Sequence, residues 1–409
     1  MDRLAENIAS IREARLAILD GGFATHLEDA YGQDLSGRLW SASLLLDNKE
    51  RCDGPSSTSS SGATTKRASG KELIKATHRD FIKAGADIIL TSTYQASRLA
   101  FELAGYSDKL ADELLVQSVG LAAQVRSEDE RGQGRKRTLV GLSLGPFGAA
   151  LANGSEYTGD YFLPTKQSPK SGPTPSLLDL EQFHLQRLQT IFGSAQAEAV
   201  DVVAFETIPR LDEAIAARRA TSKIRAKMGE GVIVYASFVF PDGTRLPYPP
   251  LAQTDARQQD HFADLLAATL GKQPDESEAG APLDGIGINC TKPYYIRPLV
   301  QSLTDAVTKL QEQGVIRKQP YLFLYPDGGL VWDGQARKWR PAANGPSNND
   351  VDRGGWASQL VNVANDVLRM STPEDQEATG RGLGWKAVIL GGCCKASVSD
   401  IASLRNLTD

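Results

Sequence analysis

The sequence lacks the features that place a chain in a membrane or on nucleic acid. No apolar run approaches the roughly 20 residues needed to cross a bilayer, and the N-terminal stretch has no signal-peptide apolar region. The formal net charge is -5, and Lys and Arg form no blocks that would attract nucleic acid or an anionic membrane. We therefore expect a cytoplasmic protein that binds small molecules, no nucleic acid and no membrane. Its oligomeric state is not indicated.

Cysteine is also scarce, with four residues among 409. This number is too low for a disulfide framework in so long a chain, so metal binding or catalysis is the better expectation. Cys393 and Cys394 are adjacent, and neighbouring cysteines rarely close on each other without strain. As reduced thiols they can both contact one cation if the backbone turns sharply, which we expect Gly391 and Gly392 to permit. Cys52 lies in a Ser-rich segment and has no assigned role.

Short apolar segments rich in β-branched residues alternate with amphipathic helical segments along the chain. Eight such segments are predicted to be strands, and they end at Asp20, Thr93, Ser143, Glu206, Phe238, Asn289, Tyr325 and Leu390. Continuously apolar strands flanked by helices indicate a parallel sheet that is buried on both faces. Eight repeats predict an α/β fold of the (β/α)8 TIM-barrel type. A doubly wound open sheet is the alternative, because a strand count from sequence carries an error of one or two.

Polar insertions explain the length of the chain. Residues 51–70 are rich in Ser, Thr and Gly without apolar periodicity, which predicts a disordered loop insertion. Residues 127–137, 271–282 and 340–355 are shorter polar segments that we interpret as surface loops. Since none of them has the character of a linker between domains, we predict a single domain over residues 1–409.

The predicted active-site end of the barrel contains three of the four cysteines. In TIM barrels the active site lies at the C-terminal ends of the strands. Cys290 follows the sixth predicted strand, and Cys393 and Cys394 follow the eighth. Three converging thiolates favour Zn²⁺, and an open fourth position is typical of a catalytic zinc site. A thiol substrate bound there would be deprotonated and still nucleophilic, which indicates alkyl transfer to sulfur.

Eight motifs, in order, resemble those of the homocysteine S-methyltransferase family. They are "ILDGGFATHLE", "LWSASLLLDN", "GADIILTSTYQAS", "SLGPFGAALANGSEYTGDY", "FETIPRLDEA", "GINCTKP", "YPDGGLVWD" and "GGCCKAS". The chain more narrowly resembles the branch that uses S-methylmethionine or S-adenosylmethionine as methyl donor. We expect it to work without cobalamin, because cobalamin-dependent relatives need extra domains to hold the corrinoid. The resemblance implies a zinc enzyme that forms methionine from homocysteine, with zinc ligands Cys290, Cys393 and Cys394.

The resemblance also implies a homocysteine site. The family's recognition residues correspond to Asp20, Gly21, Gly22 and Glu206. Carboxylates suit the ammonium group of an amino acid, and backbone N–H groups suit its carboxylate. Thr93, Ser143 and Asn289 are further candidate polar contacts at strand ends. For the donor we expect aromatic faces around the sulfonium, and the candidates are Trp40, Tyr94, Phe147, Tyr157 and Trp332.

Two positions depart from the family pattern. Lys395 and Ala396 follow the cysteine pair in place of Arg and Thr, and Asp327 and Gly328 replace an Asn-Ser pair. Lysine keeps the charge of arginine but loses its bidentate geometry, so a carboxylate contact at this position is in question.

Two other functions remain open on the sequence. One is a zinc- or thiol-binding barrel without turnover. The other is a metal-free lyase or hydrolase that uses Asp20 and Glu206, and its activity would survive a Cys290→Ser substitution.

Overall fold

Eight parallel strands form the centre of the protein in the computed structural model. The structure describes residues 15–46, 68–133, 137–165, 168, 170–229, 231–247, 261–272, 280–333, 338–341, 353–370 and 383–409. The strands are β1 (Leu16–Ile18), β2 (Ile88–Leu90), β3 (Leu139–Leu144), β4 (Val202–Ile208), β5 (Ile233–Phe238), β6 (Gly285–Asn289), β7 (Tyr321–Tyr325) and β10 (Ala387–Leu390). A separate antiparallel hairpin consists of β8 (Leu330–Asp333) and β9 (Lys338–Pro341).

The strand order confirms the predicted TIM barrel. Neighbours follow the order β1-β10-β7-β6-β5-β4-β3-β2, and each pair is parallel. An isolated parallel bridge between Leu19 and Ile88 joins the two end strands, β1 and β2. The sheet is therefore a barrel rather than the open doubly wound sheet that was the alternative.

Helices cover the outside of the barrel. They are α1 (Phe23–Tyr31), α2 (Gly70–Lys83), α3 (Arg98–Leu103), α4 (Asp108–Gln133), α5 (Phe147–Leu151), α6 (Ser155–Thr158), α7 (Leu177–Phe192), α8 (Leu211–Ile224), α9 (His261–Leu270), α10 (Pro293–Glu312), α11 (Arg353–Arg369) and α12 (Val398–Thr408). Short 3-10 turns span Trp40–Leu45, Ala197–Ala199 and Arg225–Lys227. No helix in these described ranges is both long and apolar enough to span a membrane.

The barrel interior is a packed core. Alternate strand residues point inward, such as Ala17, Val202 and Ile389, while Ile18 and its equivalents contact the helices. The rings of Tyr235 and Phe323 stack inside the barrel with centroids 3.6 Å apart. Burial on both faces explains why the strand segments are apolar at nearly every position. Because side chains fill the interior, a ligand can enter only at an end of the barrel.

The prediction of a surface loop at residues 127–137 is wrong, because α4 continues to Gln133 through most of this polar segment. Glu128 in this segment accepts hydrogen bonds from Arg79 on α2, at 3.2 and 2.7 Å. The polar residues are thus the outer turns of a helix and not a loop.

The predicted insertion 51–70 falls outside the described residues up to position 67. Its end is ordered, since Ser69 caps α2 by accepting a hydrogen bond from the Glu72 N–H at 3.3 Å.

Candidate active site

Three cysteine sulfurs meet at the C-terminal mouth of the barrel. Cys290 follows β6, Cys393 and Cys394 follow β10, and the three Sγ atoms all lie within 4.8 Å of one another. Cys290 and Cys393 are joined as a disulfide, with Cα atoms 5.5 Å apart, and Cys394 is a free thiol. Burial raises the pKa of the Cys394 thiol to about 12. A bound cation is therefore needed to stabilise the thiolate at neutral pH.

The glycines before the cysteine pair act differently from the prediction. Neither Gly391 nor Gly392 has a positive φ, whereas Lys395 has φ 63° and Cys290 has φ 48°. Of these two glycines, a side chain would disturb Gly392 more, because a Cβ there would overlap the Cβ of Ala396. Close packing therefore requires the glycine, and Lys395 makes the left-handed turn. A non-glycine residue in this region is strained, a frequent property of functional sites.

The first motif packs directly against the cysteine turn. A Cβ on Gly21 would lie 2.7 Å from the Ala396 carbonyl oxygen, and one on Gly22 would lie 2.6 Å from that of Cys393. The Gly22 N–H already donates a hydrogen bond to Ala396 O at 2.9 Å. Both glycines line the cavity at the barrel mouth. The close approach accounts for glycine here, and the expected role of their N–H groups in binding a carboxylate stays a prediction.

Two buried carboxylates, Asp20 and Glu206, line the same cavity. Asp20 Oδ2 accepts a hydrogen bond from the Leu90 N–H at 2.8 Å, and Glu206 accepts from the hydroxyls of Ser143 and Tyr325. Burial raises the pKa of Glu206 to about 7. Burial and the Glu206 charge also raise the pKa of Asp20 well above its usual value, despite the Leu90 hydrogen bond. A cation bound beside both carboxylates would favour their ionised forms.

The rest of the cavity lining contains no cation. Among the described residues that line it, none is Lys, Arg or His. The cavity measures about 390 Å³, and its lining comes from the ends of β1, β2, β3, β4, β6, β7 and β10 and from the loops that follow them. Its charged side chains are thus carboxylates and potential thiolates, a combination that favours cationic ligands.

Asn289 holds Cys290 and Thr207 in place. Its Oδ1 accepts from the Thr207 N–H at 2.9 Å, and its Nδ2 donates to Thr207 Oγ1 at 2.7 Å and to Cys290 Sγ at 3.4 Å. Thr207 has φ 58° and Cys290 has φ 48°, so Asn289 contacts two residues with a strained backbone, one in β4 and one just after β6. The amide is therefore fully engaged with protein atoms. Whether Asn289 also contacts substrate stays a prediction.

Ser143 and Thr93 occupy different places. Ser143 lines the cavity beside Glu206, whereas Thr93 is fully buried and is not among the lining residues. The Thr93 hydroxyl donates to the Ser143 carbonyl oxygen at 2.6 Å and lies 2.6 Å from Thr91 Oγ1. It is Thr91 that lines the cavity in this part of the wall. Thr93 therefore supports the strand ends through these hydrogen bonds and does not face the cavity.

Three of the five aromatic candidates reach the cavity. Trp40, Tyr94 and Tyr157 line it, and the rings of Trp40 and Tyr94 meet edge to face with centroids 6.0 Å apart. Phe147 packs against Tyr161 and Phe183 and is not a lining residue. The side chain of Trp332 lies outside the described part of the structure.

The lining residues missed from sequence include Gln95, Glu156, Thr207 and Tyr325. Thr207 and Tyr325 lie at strand ends, so listing every polar residue there would have found them. Gln95 and Glu156 lie in the segments "TSTYQAS" and "GSEYTGDY", beyond the strand ends. Periodicity carries no signal for loop residues of this kind.

The residues that depart from the family pattern are closely packed against their neighbours. Lys395 Nζ lies 2.7 and 2.8 Å from the two carboxylate oxygens of Asp29, so a carboxylate contact is made. Asp327 pairs with Lys292 at 2.6 Å. A Cβ on Gly328 would overlap the Lys395 carbonyl oxygen. The two changed segments therefore pack against each other.

Comparison with known proteins gives one consistent result. The family model described as "Homocysteine S-methyltransferase" matches residues 17–408. Homocysteine S-methyltransferase 1 of Arabidopsis thaliana is 30% identical over 394 residues, which cover 95% of this chain and 92% of that protein. Selenocysteine Se-methyltransferase of Brassica oleracea var. italica is 31% identical over 332 residues, which cover 79% of this chain and 76% of that protein.

A solved structure shares the fold over the whole chain. The homocysteine methyltransferase MmuM from Escherichia coli, in its metallated form, superposes with a TM-score of 0.59 at 24% identity and covers 98% of each chain. Its oxidized form gives a TM-score of 0.60 at 22% identity, also covering 98% of each chain.

Proposed function

The chain belongs to the homocysteine S-methyltransferase family and is a methyltransferase that acts on homocysteine, and we propose that its methyl donor is a sulfonium and its cofactor Zn²⁺. The donor is S-methylmethionine or S-adenosylmethionine, and methionine is the product. The observation that carries the proposal is the meeting of three cysteine sulfurs with two buried carboxylates at one cavity that has no cationic side chain among its described lining residues.

The cysteine group fits zinc. A tetrahedral ion with Zn–S bonds of about 2.3 Å places its sulfur ligands roughly 3.8 Å apart. The three Sγ atoms here lie within 4.8 Å of one another, and a donor set of sulfur alone favours Zn²⁺ over hard cations. Cys290, Cys393 and Cys394 would hold the ion once the Cys290–Cys393 disulfide is reduced. Bound zinc would lower the pKa of the homocysteine thiol and so supply a thiolate at neutral pH.

Asp20 and Glu206 are suited to bind the ammonium group of homocysteine. Both are buried, burial raises the pKa of each, the Glu206 charge further raises the pKa of Asp20, and both line the cavity beside the cysteines. An ammonium ion donates three hydrogen bonds and offsets the repulsion between the carboxylates. Holding the amino acid at this end fixes the position of its sulfur relative to the donor.

The chemical step needs no general base at the moment of transfer. The homocysteine sulfur forms a bond to the methyl carbon, and the bond from that carbon to the donor sulfur breaks with its electron pair. The donor leaves as a neutral thioether, and the thiol proton has already passed to solvent. The protein aligns the two sulfurs and excludes water. Trp40, Tyr94 and Tyr157 offer ring faces and edges around the donor, and no described lining residue repels its positive charge.

The test is methionine formation by the reduced, zinc-loaded protein with homocysteine and either donor. Cys393→Ser should lose activity by roughly 1,000-fold, because several kcal/mol of charge stabilisation depend on the metal. Cys52→Ser is the matched control for the loss of one thiol, since Cys52 lies in the Ser-rich segment of the sequence and has no assigned role, and it should retain full activity. The faster donor identifies the natural one.

Two outcomes would contradict the proposal. Zinc and homocysteine binding without methionine from either donor would favour the catalytically silent barrel. Undiminished activity in Cys290→Ser would favour metal-free chemistry at Asp20 and Glu206.

A further inference from the structure

Two oxygen atoms in the cavity wall are buried without a hydrogen-bond donor. They are Oε1 of Gln95 and Oε2 of Glu156, and neither has a partner in the described part of the protein. Both residues line the cavity. The Gln95 Nε2 donates to the Ala149 carbonyl oxygen at 3.1 Å, which fixes which end of the amide remains unpaired. Buried acceptors without partners are uncommon in proteins, so each calls for an explanation.

The segment 155–160, which contains the short helix α6 and Glu156, is held by several hydrogen bonds. Ser155 Oγ donates to the Asp160 carbonyl oxygen at 2.9 Å, and Arg210 Nη1 donates to the Gly159 carbonyl oxygen at 2.9 Å. The Arg210 guanidinium also lies over the Tyr161 ring, 4.9 Å from its centroid. The unpaired oxygen is thus built into a well-anchored segment and does not result from a loosely packed loop.

The chemistry of the two atoms indicates what they bind. A carboxylate and an amide oxygen both accept hydrogen bonds, so the matching ligand group carries several N–H donors, and the carboxylate selects a positive charge. A sulfonium has no N–H and cannot satisfy them. An α-ammonium group has three N–H donors and a positive charge, so it matches the chemistry of both.

The ammonium group of homocysteine already has a suitable site at Asp20 and Glu206, which lie where β1 and β4 end. Gln95 and Glu156 belong to a different wall, in the loops after β2 and β3, where Tyr94 and Tyr157 also line the cavity. The cavity therefore offers two separate sets of acceptors to a reaction with two substrates.

We propose that Gln95 and Glu156 bind the α-ammonium group of the methyl donor, so that the enzyme requires an amino-acid sulfonium and discriminates against sulfonium compounds without an amino group. This inference rests on the proposed function, because it assumes a sulfonium donor in this cavity. Both S-methylmethionine and S-adenosylmethionine carry the required group.

The test compares two donors in two proteins. In Glu156→Gln the charge is lost at nearly constant shape, and the KM for S-methylmethionine should rise roughly 10- to 100-fold, as for loss of a charge-assisted hydrogen bond. The KM for homocysteine should not change. Dimethylsulfonioacetate has no ammonium group, so its KM should be high in the wild-type protein and equally high in the variant.

Asp160→Asn is the matched control. Asp160 is exposed in the same segment, where its backbone carbonyl accepts from Ser155 Oγ and its backbone N–H donates to Thr158 Oγ1, so the variant removes a charge without breaking these hydrogen bonds. Its KM values should equal those of the wild-type protein. An equal rise for both donors in Glu156→Gln would indicate a structural role, and a rise in the homocysteine KM would assign the residue to the acceptor. Either result overturns the inference, as does an unchanged KM for S-methylmethionine.

Calorimetry separates this inference from the proposed function. If the wild-type protein makes no methionine, S-methylmethionine can still be titrated into the zinc-loaded wild-type and Glu156→Gln proteins. Weaker binding to the variant would support the ammonium site although methyl transfer failed. Equal binding, or no binding to the wild-type protein, would overturn the ammonium site as well.

Discussion

Two buried glutamates seven positions apart have opposite surroundings. Glu213 on α8 accepts from the Phe147 N–H at 2.6 Å, the Tyr161 hydroxyl at 2.6 Å and His184 Nε2 at 3.0 Å. Glu206 on β4 faces the cavity, has two hydroxyl donors and no cation, and its pKa is raised to about 7. Glu213 accepts three hydrogen bonds from the protein itself, whereas Glu206 has capacity left for a ligand. Burial alone therefore does not distinguish the two acids, and the number of donors does.

The largest effect expected is on stability, from Glu213→Gln. Arg187 is fully buried and donates to His184 Nδ1 at 2.7 Å, so the guanidinium depends on the nearby Glu213 charge. Loss of that charge should lower the free energy of unfolding by about 3 to 5 kcal/mol. Urea denaturation measures this. If the folded variant kept full stability but lost homocysteine binding, Glu213 would be functional and the contrast with Glu206 would fail.

Glu206→Gln should show the opposite pattern. The variant loses the charge that we propose binds the ammonium group, so kcat/KM for homocysteine should fall roughly 100-fold. Stability should stay level or increase, since a buried charge beside Asp20 is removed. Steady-state kinetics and thermal unfolding on the same preparation check both parts. A large loss of stability together with normal kinetics would contradict the assignment.

A third substitution separates packing from charge in this comparison, because it adds a methyl group near the cysteines and removes no polar or charged group. Gly328→Ala would place a Cβ against the Lys395 carbonyl oxygen, in the turn that follows the cysteine pair. We expect a loss of about 1 to 3 kcal/mol of stability, typical of overpacking, and a loss of bound zinc measured by elemental analysis. Gly105→Ala is a weaker control, because that glycine has open space around its missing Cβ but a φ of 89°. Unaltered zinc content in Gly328→Ala would show that the cysteine turn tolerates displacement.

The smallest effect expected is a pH dependence of stability. The pKa of Glu206 is about 7 in the folded protein and about 4.3 in an unfolded chain, so the folded state binds more protons between these values. The contribution of Glu206 to the free energy of unfolding should therefore be largest below about pH 4.3 and should decrease as the pH rises to about 7. Glu206→Gln should lack this part of the profile. Denaturation of the reduced, metal-free proteins at pH 5 and pH 8 measures the difference, and parallel profiles would contradict it.

Much of the fold was predictable because it depends on local patterns. All eight barrel strands lie within two residues of, or inside, the segments expected from their apolar runs, as shown by Val202–Ile208 and Gly285–Asn289. The β8–β9 hairpin was not expected, and the polar segment after Arg126 proved to be helical. In that segment charge was mistaken for a loop signal, although an exposed helical face is charged as well.

The site was predictable only in part. Strand order brings Cys290 together with Cys393 and Cys394, as the spacing of the predicted strands suggested. The disulfide between Cys290 and Cys393 was not expected, and neither was the placement of Thr93 behind the cavity wall. The partners of a side chain are set by residues far away in the chain, so no local pattern reports them.

The sequence by itself determined the eight strands and the end of the barrel at which the three cysteine sulfurs meet. These follow from short-range periodicity and from the rule that parallel strands present their C-terminal ends together. Only the tertiary structure decided which buried acid is already satisfied, which glycines are required for close packing, and which oxygens of Gln95 and Glu156 remain unpaired. Such properties depend on the distances between groups from different loops, and those distances exist only once the chain has folded.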